Sequence, residues 1–115
     1  MSASLNPDTP DKMKVAPYYP DHPVIRGEYA HHYDTIRQTD IEVGTLIKAF
    51  ADDGMLDNTI VFYWTDHGMR LHRHKQWLCE GGIRVPFVLA GPGIDKGVTR
   101  DDLISGIDIS ATTLA

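Results

Sequence analysis

The segment Thr59-Ile60-Val61-Phe62-Tyr63-Trp64-Thr65 constrains the fold more than any other part of this sequence. It is a continuous run of β-branched and aromatic residues without apolar–polar alternation, the pattern of a strand covered on both faces in a mainly parallel sheet. A long amphipathic stretch precedes it. Tyr29, Tyr33, Ile36, Val43, Ile47 and Phe50 recur at helical spacing, interrupted only by Asp40, so residues 26–53 are expected to form one helix. Asp40 needs a partner if that face is buried. Gly54 then suits the left-handed position past a helix end, and Asp57-Asn58 suits a turn. A helix feeding a buried strand implies α/β architecture.

On either side of this unit the signals are weaker. Residues 1–25 hold five of the seven prolines and read as an irregular lead-in, because proline and its preceding residue disfavour helix. A second strand is expected over 85–90, before the Gly91-Pro92-Gly93 turn, with Pro86 near its start where a missing donor is tolerated. Leu103–Ile107 reads as a third short strand, and Asp108 as the cap of a following helix. That helix reaches Ala115 with no stop signal and reads as interrupted. A length of 115 residues fits one modest domain with a small core. The net charge of -5 argues against a nucleic-acid partner, and no apolar stretch is long enough for a leader or a membrane span. The single cysteine, Cys79, excludes an internal disulfide and lacks an activating neighbour, so it is expected to be a buried, inert thiol.

The chemistry concentrates where the strand run ends, at Thr65-Asp66-His67-Gly68. Ligands collect outside the carboxyl ends of strands in open α/β sheets. A carboxylate and an imidazole adjacent in a loop can both turn toward one divalent cation. The same pair can instead cap a turn and pack beside it. Leu71-His72-Arg73-His74-Lys75 follows, a cationic run in an acidic chain. It suits a tetrahedral anion, with Lys75 as a point charge and the histidines as donors, or it is a solvated basic loop. Glu80-Gly81-Gly82-Ile83-Arg84 then returns the chain toward the sheet. Two successive glycines imply a tight bend or a close approach, and Arg84 a structural ion pair with a buried carboxylate or an anion contact.

Taken in order, Tyr33-Asp34-x-Ile36-x-x-x-Asp40-x-x-Val43-Gly44, Gly54-x-Leu56-x-Asn58-Thr59-Ile60-Val61, Thr65-Asp66-His67-Gly68, Lys75, Gly82-Ile83-Arg84-Val85-Pro86 and Gly91-Pro92-Gly93 resemble the sulfatases of the alkaline-phosphatase-like superfamily. The resemblance covers roughly residues 15–115. It implies part of a three-layer α/β fold with a mainly parallel central sheet, and hydrolysis of small-molecule or carbohydrate sulfate esters beside a calcium ion. By the same resemblance Asp66 and His67 correspond to metal ligands and Lys75 to the lysine that contacts the sulfate. His72 and His74 are carried as candidates for the proton donor to the leaving group.

The family's nucleophile is a formylglycine made within a Cys/Ser-x-Pro-x-Arg motif, and no such motif occurs in these residues; Cys79 is followed by Glu-Gly-Gly. The resemblance therefore implies a partial catalytic domain over 26–115 that lacks hydrolytic activity alone. A phosphatase, phosphodiesterase or phosphomutase of the same superfamily and a non-catalytic remnant module are the alternatives. The family is often periplasmic, secreted or lysosomal, and the compartment stays open.

Overall fold

A computed structural model describes residues 9–114, which fall into two units dividing between Met55 and Leu56. The first unit is dominated by one helix, α1, Pro23–Asp52. It starts three residues before the expected boundary because Pro23 sits at the first helical position, where its missing N–H costs nothing and its fixed φ favours the helix. His22 caps it, its ring Nδ1 accepting from the Val24 amide at 3.2 Å. At the other end Gly54 has φ 68°, and the Met55 amide reaches the Phe50 carbonyl at 2.9 Å while the Gly54 amide reaches Ala51 at 3.0 Å. These two bonds make a Schellman stop, as Gly54 leads one to expect.

The lead-in is less irregular than its prolines imply. Pro10–Lys12 forms a 3₁₀ turn that packs on α1, and residues 1–8 lie outside the described part. Arg26 fastens this segment. Its guanidinium bonds the carbonyls of Asp11 at 3.1 Å and Met13 at 2.8 Å, and makes a two-nitrogen contact with the Asp21 carboxylate, 2.7 Å on one side. The Asp21 carboxyl is held below its ordinary range by the Arg26 hydrogen bond. Tyr19 meets Tyr29 edge to face at 6.1 Å, and Tyr29 and Ala30 are the buried apolar residues. Further along α1, Val43, Ile47 and Phe50 are half-buried, while Tyr33, Ile36 and Asp40 are exposed. Asp40 needs no partner, since water solvates it.

In the second unit the strand run forms β1, Val61–Trp64, after a 3₁₀ turn at Leu56–Asn58. The second expected strand forms β2, Phe87–Ala90, leaving Pro86 outside it. The two pair antiparallel in the register Val61↔Ala90, Phe62↔Leu89, Tyr63↔Val88 and Trp64↔Phe87. Burial on both faces, expected for β1, is not found, and a single strand pair is too small to test a mainly parallel central sheet. Val61, Phe62, Phe87 and Leu89 are half-buried, with the rings of Phe62 and Phe87 at 6.3 Å, whereas Tyr63, Trp64 and Val88 are exposed. The uninterrupted apolar run records a residue preference for covered faces, and the two strands leave part of each face exposed.

The expected third strand is absent among the described residues. Leu103 and Ile104 belong to no regular element and are exposed, and α3 begins at Gly106, spanning Gly106–Leu114. Asp108 does cap it, from the third helical position, where its carboxylate accepts from the Ser105 amide at 2.6 Å. The uncapped end expected at Ala115 lies outside the described residues. No helix among the described residues is long and apolar enough to cross a membrane.

Candidate functional site

The site begins one residue past β1. Thr65 Oγ1 donates to the His67 carbonyl at 3.1 Å, which folds the chain back at once and turns Asp66 outward; its side chain is 80% exposed. His67 directs Nδ1 at the Gly68 carbonyl, 2.8 Å away, so that nitrogen carries the proton. The other ring nitrogen, Nε2, lies 3.4 Å from Asp66 Oδ2. In the neutral ring Nε2 is a lone-pair acceptor facing a carboxylate; in the protonated ring the same contact is an ion pair. Asp66 and His67 are therefore brought together at one point.

Gly68 explains why the turn holds. Its amide bonds the Gly82 carbonyl at 3.0 Å, and a Cβ on it would lie 1.7 Å from the Gly81 carbonyl oxygen. Only glycine allows that approach, and it ties the Asp66-His67 turn to α2, Glu80–Ile83. The close approach expected from Gly81-Gly82 is thus made twice, because a Cβ on Gly82 would fall 2.2 Å from the Trp77 carbonyl and 2.3 Å from that of His74. The His74 ring occupies the space above Gly81 and is 8% exposed, a buried polar side chain whose role sequence reasoning missed. The glycine pair was the available signal, since a flat shelf implies something large lying on it.

Between these anchors the Lys75 amide bonds the Met69 carbonyl at 3.0 Å, closing residues 69–75 into a loop. Arg73 at φ 65° and Gln76 at φ 73° take left-handed conformations that are uncommon for residues with a Cβ. Backbone bonds from His74 to Leu71 and from Trp77 to His74, both 3.1 Å, hold the two turns. Of the candidate residues, His74 points inward, while His72 and Lys75 are exposed on the loop whose neck adjoins the Asp66-His67 turn. Among the described residues no three metal-ligating side chains converge, and the pair Asp66 and His67 stands alone.

Two neighbours differ from expectation. Cys79 is exposed, because it precedes α2 as its cap residue instead of entering a core. Arg84 pairs with an exposed carboxylate, Glu80 at 3.1 Å one helical turn back, and not with a buried one.

Comparison with known proteins carries this geometry further. A family model described as Sulfatase matches residues 2–115. The chain belongs to the sulfatase family. As a sulfatase-family chain it is 33% identical over 112 residues to an "Ulvan-active sulfatase" of Formosa agariphila, covering 96% of this chain and 18% of that protein. It is also 33% identical over 94 residues to "Arylsulfatase K" of Danio rerio and of Homo sapiens, covering 78% of this chain and 18% of each relative. The chain thus spans less than a fifth of the length of the curated relatives it matches. No solved structure matches it. Sulfatase membership supports an α/β fold, and the described residues contain helices and one small antiparallel strand pair.

Proposed function

We propose that this chain is the charge-handling part of a sulfuric ester hydrolase, within a three-layer fold whose central sheet is mainly parallel. The observation that carries the proposal is the meeting of Asp66 Oδ2 and His67 Nε2 at 3.4 Å, with the far ring nitrogen fixed on the Gly68 carbonyl. A metal-ligating histidine commonly donates its other N–H to a backbone carbonyl in this manner. An exposed carboxylate beside an oriented imidazole fits a divalent cation, and calcium is the one the resemblance implies. Bound there, the ion would supply Lewis-acid neutralisation of negative charge on the sulfuryl oxygens.

The chain's own residues account for the rest. Lys75, one residue past buried His74 and tied by its amide to Met69, presents its ammonium as a point charge for the sulfate. His72, exposed on the same loop, is the better placed of the two candidate proton donors, since His74 is enclosed against Gly81. The formylglycine nucleophile belongs to a motif these 115 residues do not contain, so hydrolysis is assigned to a protein that includes it.

Calorimetry on the chain tests this reading. Two side-chain ligands leave most of the coordination to water, so calcium should bind weakly, with Kd of about 10⁻³ M, and Asp66→Ala should abolish the heat. Lys75→Ala should weaken inorganic sulfate binding about tenfold without altering calcium binding. Calcium heat that survives Asp66→Ala would remove the metal assignment. The chain itself should not turn over an aryl sulfate, and metal-dependent turnover lost in Lys75→Ala would overturn the assignment of the nucleophile elsewhere.

A further inference from the structure

Two parts of the candidate site rest on the same short helix, α2. The Asp66-His67 turn reaches it through Gly68, whose amide bonds the Gly82 carbonyl at 3.0 Å and whose Cα leaves no room for a Cβ beside the Gly81 oxygen. The basic loop reaches the same two glycines through His74. A Cβ on Gly81 would lie 2.6 Å from the ring's Cε1, 2.7 Å from Nδ1 and 3.0 Å from Nε2, so the imidazole lies against bare backbone there. The His74 carbonyl is equally close to Gly82, where a Cβ would fall 2.3 Å from it.

Lys75 adjoins this contact and is exposed, whereas His74 is 8% exposed. Arg73 at φ 65° and Gln76 at φ 73° flank the pair. Residues with a Cβ keep such conformations only where surrounding contacts enforce them. Here the contacts converge on His74: its amide bonds Leu71, its carbonyl accepts from Trp77, and its ring is seated on Gly81. The two backbone bonds would survive any side chain at position 74; the ring contact would not. A lysine is long and flexible, and a displacement of about 1 Å in a group that meets charge on a substrate is costly. We propose that His74 is a positioning residue for Lys75: its ring, seated on Gly81, fixes where Lys75 stands relative to the Asp66-His67 turn, through the helix both share. The inference rests on Lys75 being the lysine that meets the sulfate. It gives His74 a task other than proton transfer, for which its enclosure leaves no approach.

Nuclear magnetic resonance titration of the chain with sodium sulfate and, separately, with calcium tests this. Overhauser contacts between the ring at position 74 and residue 81 report whether the ring is seated, and Gly68 amide exchange reports the turn on α2. His74→Ala should weaken sulfate binding about fivefold while calcium binding and Gly68 protection stay as in the parent chain. His74→Phe, which keeps a flat ring and has no ring N–H, should restore sulfate binding to within about twofold. Gly81→Ala places a methyl where the ring lies and should weaken sulfate binding as His74→Ala does. Sulfate binding should therefore follow ring seating across the series. Parent-like sulfate binding in His74→Ala would overturn the inference, and so would weak binding in His74→Phe with its ring seated, which would make the imidazole itself a sulfate ligand. Loss of Gly68 protection and calcium binding in His74→Ala would also overturn it, since the ring would then hold the whole unit and not Lys75 in particular. In these cases Lys75→Ala still weakens sulfate binding and the sulfatase reading stands. If Lys75→Ala binds sulfate as the parent does, both fall.

Discussion

Single residues do more structural work here than their types announce. Tyr29 is the clearest case, because its phenol is enclosed and burial raises its pKa above the ordinary 10.0, against a backbone hydrogen bond at Ala16 that lowers it. A group that holds its proton more tightly when folded contributes stability fully below the unfolded value and loses it as pH rises through the raised one. Within the first unit the packing around Tyr29 should therefore hold to about pH 10 and loosen above it. A spectrophotometric phenolate titration should show a late-ionising component that Tyr29→Phe removes; coincident curves would refute this. Arg26 is the opposite lesson in legibility. Nothing about its neighbours in sequence marks it as the clamp of the lead-in, since its partners Asp11 and Met13 are set by how the chain folds back. The acid–imidazole pair was legible because Asp66 and His67 adjoin in sequence and Gly68 follows. The burial of His74 was not, since it depends on a shelf seven residues away.

At the level of elements, the basis of legibility is local. The end of α1 follows from Gly54 alone, and its start from Pro23 once that proline is read as a first helical residue instead of a breaker. Strand partners are not local. The residues of β1 match a strand with two covered faces, yet its hydrogen-bonded neighbour is antiparallel, and nothing within 59–65 specifies direction. Likewise Leu103–Ile107 has the composition of a strand but no strand to pair with among the described residues, so the Ser105–Asp108 cap claims its end for α3. The meeting of the Asp66 turn with α2 gives a sharp prediction. In Gly82→Ala the new methyl would meet two backbone carbonyls that cannot rotate away, at a cost of about 1–3 kcal/mol. Amide exchange at Gly68, whose N–H bonds the Gly82 carbonyl, should accelerate and inorganic sulfate binding should fall. Gly106→Ala, with open space around it, should do neither. The same exchange rates in both variants would show that the glycine contact does not hold the site.

For the whole molecule, burial decides behaviour. Among the described residues the first unit buries Tyr29 and Ala30, and the second buries His74 and Gly82. Against that, Leu78, Leu103, Ile107 and Leu114 are each more than 80% exposed, and the sheet has two strands. Cooperative unfolding needs a shared core that breaks as one, and a lone strand pair is marginal in water with open edges that invite other strands. The chain in dilute buffer should therefore melt without a sharp calorimetric transition and should associate as concentration rises. A single concentration-independent endotherm would contradict this. The placement of the chromophores makes the two units separately observable. Trp64 and Trp77 both follow Leu56 and are about half exposed, whereas four of the five tyrosines precede Met55. Indole emission thus speaks for the second unit and tyrosine absorbance chiefly for the first, so one unlabelled sample carries two optical channels, one for each half of the chain.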